Sequence, residues 1–244
     1  MNQLAHAIQF LTILPVKPDV IPRNDYARIM RWFPLAGLLI GLLSAGMYLF
    51  MRLILPVPAA LVFSVLFQII VTGALHIDGL ADTCDGCLSG RSRERKLEIM
   101  RDSCLGTYGT VAIIGVILLK ITLLTHLPST LHLVILTLTP VVGRFALVFG
   151  AWRSEYARAE GIGHLFIGRI TTGDMLTSLV LTLLISLAYM PAIGILPIIM
   201  ITVITMKQLI RQLLGGITGD TLGAFNEAAE VIFMTVVLSL HNWS

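Results

Sequence analysis

The chain has 244 residues, of which 56% are hydrophobic and 13% are charged, with a formal net charge of +3. A soluble domain usually carries about twice that charged fraction, so the composition excludes an ordinary soluble fold and predicts an all-α, polytopic membrane bundle in one domain, residues 1–244. The positive charge does not call for a nucleic-acid partner, because membrane proteins carry an excess of Lys and Arg in their cytoplasmic loops.

Apolar runs divide the chain into about seven segments that are transmembrane or re-entrant. A helix needs about 20 apolar residues to cross the hydrocarbon core. The first run, AIQFLTILPV, is shorter and contains a proline, so we expect an interfacial or re-entrant segment there. The predicted spans are 33–51, 57–75, 108–126, 131–149, 175–190, 195–212 and 229–241, of which the fifth and the last are short.

Positive charges collect in alternate connections between these spans, whereas the other connections contain proline and almost no charge. This alternation predicts that the basic connections and the N-terminus are cytoplasmic. The C-terminal HNWS is then outside with seven spans, or inside if the last segment is re-entrant. The basic residues concerned are Lys17, Arg23, Arg28, Arg31, Arg91, Arg93, Arg95, Lys96, Arg101, Arg153, Arg158, Arg169, Lys207 and Arg211.

The motif HIDGLADTCDG places three aspartates at the end of the second span. On a helix that turns about 100° per residue, Asp82 lies about 40° from Asp78, and Asp85 lies about 20° to the other side. Their repulsion, roughly 1 to 4 kcal/mol for a pair at about 4 Å, needs an offsetting charge, and Mg²⁺ or Mn²⁺ prefers such oxygen ligands. The alternative is a solvated helix end whose aspartates meet nearby arginines. His76 is either an outer ligand or base, or an interface residue.

A second acidic motif, GGITGDTLGAFNEAAE, follows the sixth span. Asp220 and Glu227 are seven residues apart and therefore share a helix face, while Glu230 lies about 60° further round. We expect these acids at the cytoplasmic border, like the first motif. The alternative, that acids favour a helix start because of its dipole, fits Asp220 but not the two glutamates.

Basic residues lie between and beside these motifs, where they either fix topology and contact lipid headgroups or hold a phosphate-bearing substrate. Arg101 and Asp102, followed by LGTYG, are the more site-like pair. Arg144 falls within an apolar span, where an arginine is a functional candidate. Lys120, also within a span, either snorkels or pairs with a buried carboxylate. Arg169, in the glycine-rich GIGHLFIGRI, is a further candidate for substrate contact.

The segments HIDGLADTCDG, EIMRDSCLGTYG and GGITGDTLGAFNEAAE together resemble the cobalamin 5′-phosphate synthase family, the adenosylcobinamide-GDP ribazoletransferases of bacterial inner membranes. FLTILPV, FPLAGLLIGL and EGIGHLFIGRI are similar too, so the resemblance covers nearly the whole chain. It implies a Mg²⁺-dependent enzyme of the inner (cytoplasmic) membrane, and the basic loops place its site on the cytoplasmic side. In the implied reaction a hydroxyl of α-ribazole 5′-phosphate, or α-ribazole, attacks the cobinamide-side phosphorus of adenosylcobinamide-GDP, and GMP leaves.

Two other classes of protein stay open. The first motif looks loosely like that of the CDP-alcohol phosphatidyltransferases, although their pattern diverges from this chain near Asp82. The second class is a transporter whose acidic pairs carry a cation or proton, with its acids near the bilayer midplane on broken spans. Acids gathered at one border beside arginines favour an enzyme over a transporter.

We therefore expect Asp78, Asp82 and Asp85 to hold one or two Mg²⁺ ions, with Mn²⁺ as a substitute, and Asp220 and Glu227 to add ligands or bases. Asp82, at the centre of the cluster, is our first candidate to accept the proton of the ribose hydroxyl. The residues expected to bind phosphate or to admit substrate are Arg101, Asp102, Arg144, Arg169, Gly79, Gly86, Gly219 and Gly223. The sequence leaves open whether the protein is a homo-oligomer.

Overall fold

The computed structural model describes residues 2–18, 22 and 25–242, and these form a helical bundle. Its α-helices are α1 Asn2–Leu11, α2 Tyr26–Ile29, α3 Phe33–Arg52, α4 Val57–Val71, α5 Leu75–Leu88, α6 Arg93–Ile99, α7 Thr107–His126, α8 His132–Ala151, α9 Thr172–Ser186, α10 Pro191–Leu214 and α11 Gly219–Asn242. Because no β-strand forms among these residues, the all-α prediction is confirmed. Arg23 and the last two residues of the HNWS tail lie outside the described part of the chain.

Helix length and composition confirm the polytopic membrane bundle. Within the described residues, α4 and α5 are long and apolar enough to cross a membrane only when taken together, and the chain bends by 84° between them. Helix α9 is apolar but shorter, with 15 residues. Length and composition therefore allow five or six crossings. The five continuous candidates are Tyr26–Arg52, Thr107–His126, Ser129–Ala151, Pro191–Leu214 and Gly219–His241.

Helix α8 lies at the centre of the bundle, since 83% of its most apolar stretch is buried by the rest of the protein. Helix α3 approaches it closely, because a Cβ on Gly37 would stand only 2.6 Å from the carbonyl oxygen of Pro140. Small residues at such crossings allow the dense packing that holds helices together in lipid. Helix α11 packs against both α8 and α5, so it joins the core to the helix that carries the first acidic motif.

The second predicted span is wrong at its end. Helix α4 stops at Val71, and the backbone then turns through Gly73 and Ala74, both with φ of +58°. This left-handed pair redirects the chain into α5, which contains all three aspartates of the first motif. The prediction that these aspartates share one helix is therefore confirmed.

The last predicted span, 229–241, is wrong at its start. Helix α11 begins ten residues earlier, at Gly219, and has 24 residues. The most apolar stretch of α11 has a mean hydropathy of 1.4, against 1.9 to 2.0 for the other continuous candidate spans. Because acidic residues lower the hydropathy of its first half, the apolar pattern reveals only the second half of the helix.

Candidate active site

A cavity of about 340 Å³ lies where α1, α3, α5, α8 and α11 meet the loop between α8 and α9. One part of its wall is apolar, and the other carries His76, Asp78, Arg158 and Asp220. Its apolar residues come mainly from α1, α3 and the loop, and include Phe10, Leu11, Met30, Phe33 and Phe166. Residues from both acidic motifs thus border one cavity.

Asp78 and Asp82 are the aspartates that remain available to a ligand. Asp78 is exposed and Asp82 is half-buried. Among the described residues, neither side chain forms a hydrogen bond or an ion pair. The carboxylates of Asp78 and Asp220 both repel that of Asp82, so the two motifs do face each other as predicted.

Asp220 is engaged by Arg158, whose guanidinium donates to its Oδ2 at 2.7 Å. The loop of Arg158 is fixed to the turn before α11, because the backbone N–H of Ala157 donates to Ile217 at 2.9 Å and that of Ile217 donates to Glu155 at 2.8 Å. The fold therefore presents Arg158 to the carboxylates. The sequence argument missed Arg158, since it counted this arginine only among the residues that set topology.

Asp85 is occupied by backbone groups of α7. Its two carboxylate oxygens accept hydrogen bonds from the N–H groups of Gly106 at 2.8 Å and Gly109 at 2.9 Å. The first N–H groups of a helix lack partners within the helix, and a carboxylate there satisfies them and suits the helix dipole. Asp85 thus joins α5 to the start of α7, which differs from the role of metal ligand predicted for it.

Glu227 and Glu230 lie in the interior of the bundle rather than at its border, so that prediction is wrong for both glutamates. Lys120 contacts each of them at 2.6 Å, and Arg144 contacts Glu230 at 2.6 Å. Lys120 therefore pairs with buried carboxylates rather than snorkelling. Asn226 also donates to both glutamates at 3.1 Å.

This buried cluster, defined as Lys120, Arg144, Glu227 and Glu230, has two positive and two negative groups and is formally neutral. The exposed fractions of its side chains do not exceed 7%. Charges removed from water are tolerated when they are paired and hydrogen-bonded. The cluster therefore links α7, α8 and α11 through buried ion pairs. Its two cations, Lys120 and Arg144, are not accessible to a phosphate.

The other predicted polar residues lie away from the cavity wall. Arg101 and Asp102 are exposed in the segment between α6 and α7, and Arg169 is exposed beside His164, with 3.1 Å between their nitrogens. The backbone N–H of Cys104 donates to Asp102 at 3.0 Å and lowers the pKa of this carboxyl. Among the described residues, these predicted phosphate ligands thus do not line the cavity, and neither arginine forms an ion pair with Asp78, Asp82 or Asp220.

The predicted glycines have two different roles. Gly79 and Gly223 face each other where α5 crosses α11, since a Cβ on Gly79 would lie 2.7 Å from the carbonyl oxygen of Asp220 and one on Gly223 would lie 2.9 Å from that of His76. Gly86 packs against Met100 instead. Open space surrounds Gly219, which lines the cavity together with Gly223. Close helix packing therefore explains three of the four glycines.

The donor set suits a hard cation without forming a complete cage. Among the described residues, no group of three or more His, Cys, Asp or Glu side chains is arranged to hold a metal ion by itself. Mg²⁺ seldom uses such a cage and is usually held by one or two carboxylates, several waters and the phosphates of a substrate. The unpaired carboxylates of Asp78 and Asp82, with Asp220 nearby, fit that kind of site.

Several curated proteins are similar to this chain over nearly its full length. Curated proteins named adenosylcobinamide-GDP ribazoletransferase from Thermoanaerobacter pseudethanolicus and Escherichia coli K12 are 36% and 38% identical, and each match covers at least 95% of both chains. One from Shigella boydii serotype 4 is 39% identical over 95% of this chain and 97% of its own. No solved structure matches the chain. The model of the cobalamin-5-phosphate synthase family matches residues 3–238, and the chain belongs to this family.

Proposed function

We propose that the chain is an adenosylcobinamide-GDP ribazoletransferase, which joins the cobinamide phosphate of adenosylcobinamide-GDP to α-ribazole 5′-phosphate or α-ribazole and releases GMP. Family membership and relatives of that name over nearly the full length support this activity. The observation that carries it is a set of carboxylates: Asp78 lines the cavity with Asp220 and Arg158, and the unpaired Asp82 lies near enough to be repelled by both Asp78 and Asp220. The product is the assembled nucleotide loop of cobalamin, as its 5′-phosphate when the acceptor is phosphorylated.

Magnesium is the cofactor that we propose for this site, with Mn²⁺ as a substitute. Asp78, Asp82 and Asp220 would hold the ion together with waters and substrate oxygens. When bound, it would neutralise negative charge on the pyrophosphate. We keep Asp220 in the ligand set because it lines the cavity and its bonds to Arg158 and Thr218 engage only Oδ2. We leave out Asp85, whose two oxygens both accept from α7 amides, and Glu227, which is buried against Lys120 away from the cavity wall.

The reaction needs positioning and charge stabilisation rather than a protein nucleophile. The hydroxyl oxygen of the acceptor forms a bond to the cobinamide-side phosphorus, and the bond from that phosphorus to the bridging oxygen breaks. GMP leaves with the bridging oxygen. We assign the hydroxyl proton to the carboxylate oxygen of Asp82 that does not hold the ion, since this side chain is half-buried and unpaired among the described residues. Arg158, which lines the cavity, supplies a guanidinium for the phosphate oxygens and holds Asp220 in place.

We propose that the protein lies in the bacterial inner membrane with the cavity facing the cytoplasm. The basic residues of the loops support this orientation through the bias of Lys and Arg towards the cytoplasm. Arg158 and Arg169, in the loop that borders the cavity, belong to that set. Cytosolic nucleotide substrates would then reach the site without crossing the bilayer.

The test is a two-substrate assay on purified protein in liposomes. We expect GMP release and the cobalamin product only when adenosylcobinamide-GDP, α-ribazole 5′-phosphate and Mg²⁺ are all present, and loss of both on addition of EDTA. Glu98→Gln, in an exposed ion pair with Arg95, is a matched control that removes one carboxylate elsewhere and keeps wild-type turnover. Turnover with a CDP-alcohol instead, or none from folded protein, would refute the proposal.

A further inference from the structure

We infer that the apolar part of the cavity binds the bicyclic base of the ribazole acceptor, and not the corrinoid or the guanine of the donor. This inference rests on the proposed function and assigns one substrate to one part of the site. It follows from the composition of the wall, the size of the cavity and two polar atoms that lack partners.

The apolar wall is aromatic where a flat ring would lie. Phe10 stands between two other phenylalanines, with ring centroids 5.9 Å from Phe33 and 5.0 Å from Phe166. Phe33 and Phe166 are buried, whereas Phe10 is 41% exposed and so retains area for a ligand to cover. Aromatic side chains bind bases by stacking on their flat faces.

The size of the cavity selects the smaller substrate. Its volume of about 340 Å³ is near the lower end of ligand pockets, which run from about 300 to 1,000 Å³. A nucleoside with a two-ring base is of that size. A corrin ring with its side chains is much larger, so adenosylcobinamide must lie mostly outside this cavity.

The chemistry of the wall distinguishes the two bases that the reaction brings together. Guanine carries donors and acceptors along its edge. Burial against Phe10, Leu11, Met30 and Phe166 would leave those groups without hydrogen bonds, which is unfavourable. The outer edge of dimethylbenzimidazole carries two methyl groups and needs no partner. The apolar end of the cavity therefore favours the ribazole base.

Two buried donors at the polar end lack partners among the described residues. Arg144 can only donate, so its contact of 3.3 Å with Nδ1 of His76 assigns the proton of this neutral ring to Nε2. Nε2 of His76 and Nε of Arg158 are both buried without a hydrogen bond, and both residues line the cavity. A riboside offers acceptors for them in its sugar oxygens and the free ring nitrogen of its base. The apolar base would then pack against the phenylalanines, and the hydroxylated sugar would lie at the polar end of the cavity, towards Asp78 and Asp220.

Steady-state kinetics of Phe10→Ala and Phe166→Ala test the assignment. We expect the KM for α-ribazole 5′-phosphate to rise about tenfold, from lost stacking, while the KM for adenosylcobinamide-GDP stays within about twofold. Phe50→Ala is the matched control, because Phe50 is 60% exposed on α3 and does not line the cavity. A rise confined to the KM for adenosylcobinamide-GDP, or no change in either KM, would overturn the inference.

Equilibrium dialysis with radiolabelled α-ribazole alone separates this inference from the proposed function. We expect wild type and Phe50→Ala to bind it, Phe10→Ala to bind it about tenfold more weakly, and GMP not to displace it. Because Phe10 is partly exposed, its variant keeps the test valid if Phe166→Ala does not fold. Binding without any turnover would refute the transferase but keep the base site, whereas turnover with unchanged binding in Phe10→Ala would refute the base site alone.

Discussion

Two groups of acidic side chains, both partly drawn from α11, have opposite environments. At and beside the cavity, Asp78, Asp82 and Asp220 share the single guanidinium of Arg158, and two of the three carboxylates have no partner among the described residues. In the bundle interior, Glu227 and Glu230 are matched by an equal number of cations. The cavity group therefore holds uncompensated negative charge, and the buried cluster holds none.

This difference separates a reactive role from a structural one on the same helix. Uncompensated carboxylates beside open space attract a cation and accept a proton. Paired charges inside a span are expensive to disturb and hold their helices in register. We therefore expect substitutions at the cavity to reduce turnover in folded protein, and substitutions in the buried cluster to reduce stability first.

Glu230→Gln should show the largest loss of stability. Glu230 contacts Lys120 and Arg144 at 2.6 Å each and accepts from Gln68 at 3.0 Å. Removal of one partner from a buried ion pair typically costs about 3–5 kcal/mol, because the remaining charge is left buried. The expected result is a lower midpoint of thermal unfolding in detergent and less folded protein.

A double variant sharpens the same point. Lys120→Met combined with Glu227→Gln removes one charge of each sign and leaves the pair of Arg144 and Glu230 intact. We expect it to unfold at a higher temperature than Lys120→Met alone. A wild-type midpoint for Glu230→Gln would show that the cluster does not stabilise the bundle.

Arg158→Met should have a smaller effect than Glu230→Gln, and this effect should be on turnover. The change removes the cation beside Asp220 and a charge-assisted hydrogen bond of the kind that contributes about 1.5–3 kcal/mol. We expect kcat/KM for the two-substrate reaction to fall by about 10- to 100-fold. Arg101→Met, at an exposed position away from the cavity wall, should stay within about threefold. A larger fall in kcat/KM for Arg101→Met than for Arg158→Met would instead indicate that Arg101 binds the phosphate.

Asp85→Ala should have the smallest effect of this set and should act on stability. The loss of a carboxylate that accepts from Gly106 and Gly109 resembles the loss of a helix cap, which costs about 0.5–2 kcal/mol. Asp85→Asn keeps one acceptor oxygen and should lose less. We expect both folded variants to retain most of their kcat. Abolished turnover with an unchanged unfolding midpoint would instead make Asp85 a metal ligand.

The sequence predicted the bundle and the helix of the first motif, because hydropathy and helical periodicity are local properties. It predicted the meeting of the two motifs because the pattern of basic loops places both at one border of the membrane. It could not separate ligands from structural acids. Asp85 and Asp78 share a face of α5, and they differ because backbone N–H groups at the start of α7 donate to Asp85. Glu227 and Asp220 share a face of α11, but their partners come from elsewhere in the fold. Lys120 of α7 pairs with the buried Glu227, and Arg158 of a loop pairs with Asp220 at the cavity.

The missed arginine has the same explanation. Arg158 lies in a loop without a recognisable motif, and its place beside Asp220 depends on a backbone bridge between Tyr156 and Ile217. Such a contact joins residues about sixty positions apart and leaves no periodic signal in the chain. Arg144 illustrates the converse, since its position inside a span marked it as a functional candidate for binding phosphate, whereas its guanidinium contacts the buried Glu230 at 2.6 Å.

The most direct test of the account compares Asp82→Asn with Glu227→Gln in one experiment that measures both GMP release and the midpoint of thermal unfolding. We predict that Asp82→Asn unfolds near the wild-type temperature and loses about 10²- to 10⁴-fold in kcat, as expected for the loss of a general base. We predict that Glu227→Gln unfolds at a lower temperature and turns over normally in its folded fraction. The contradictory result is a stable Glu227→Gln without activity together with an active Asp82→Asn.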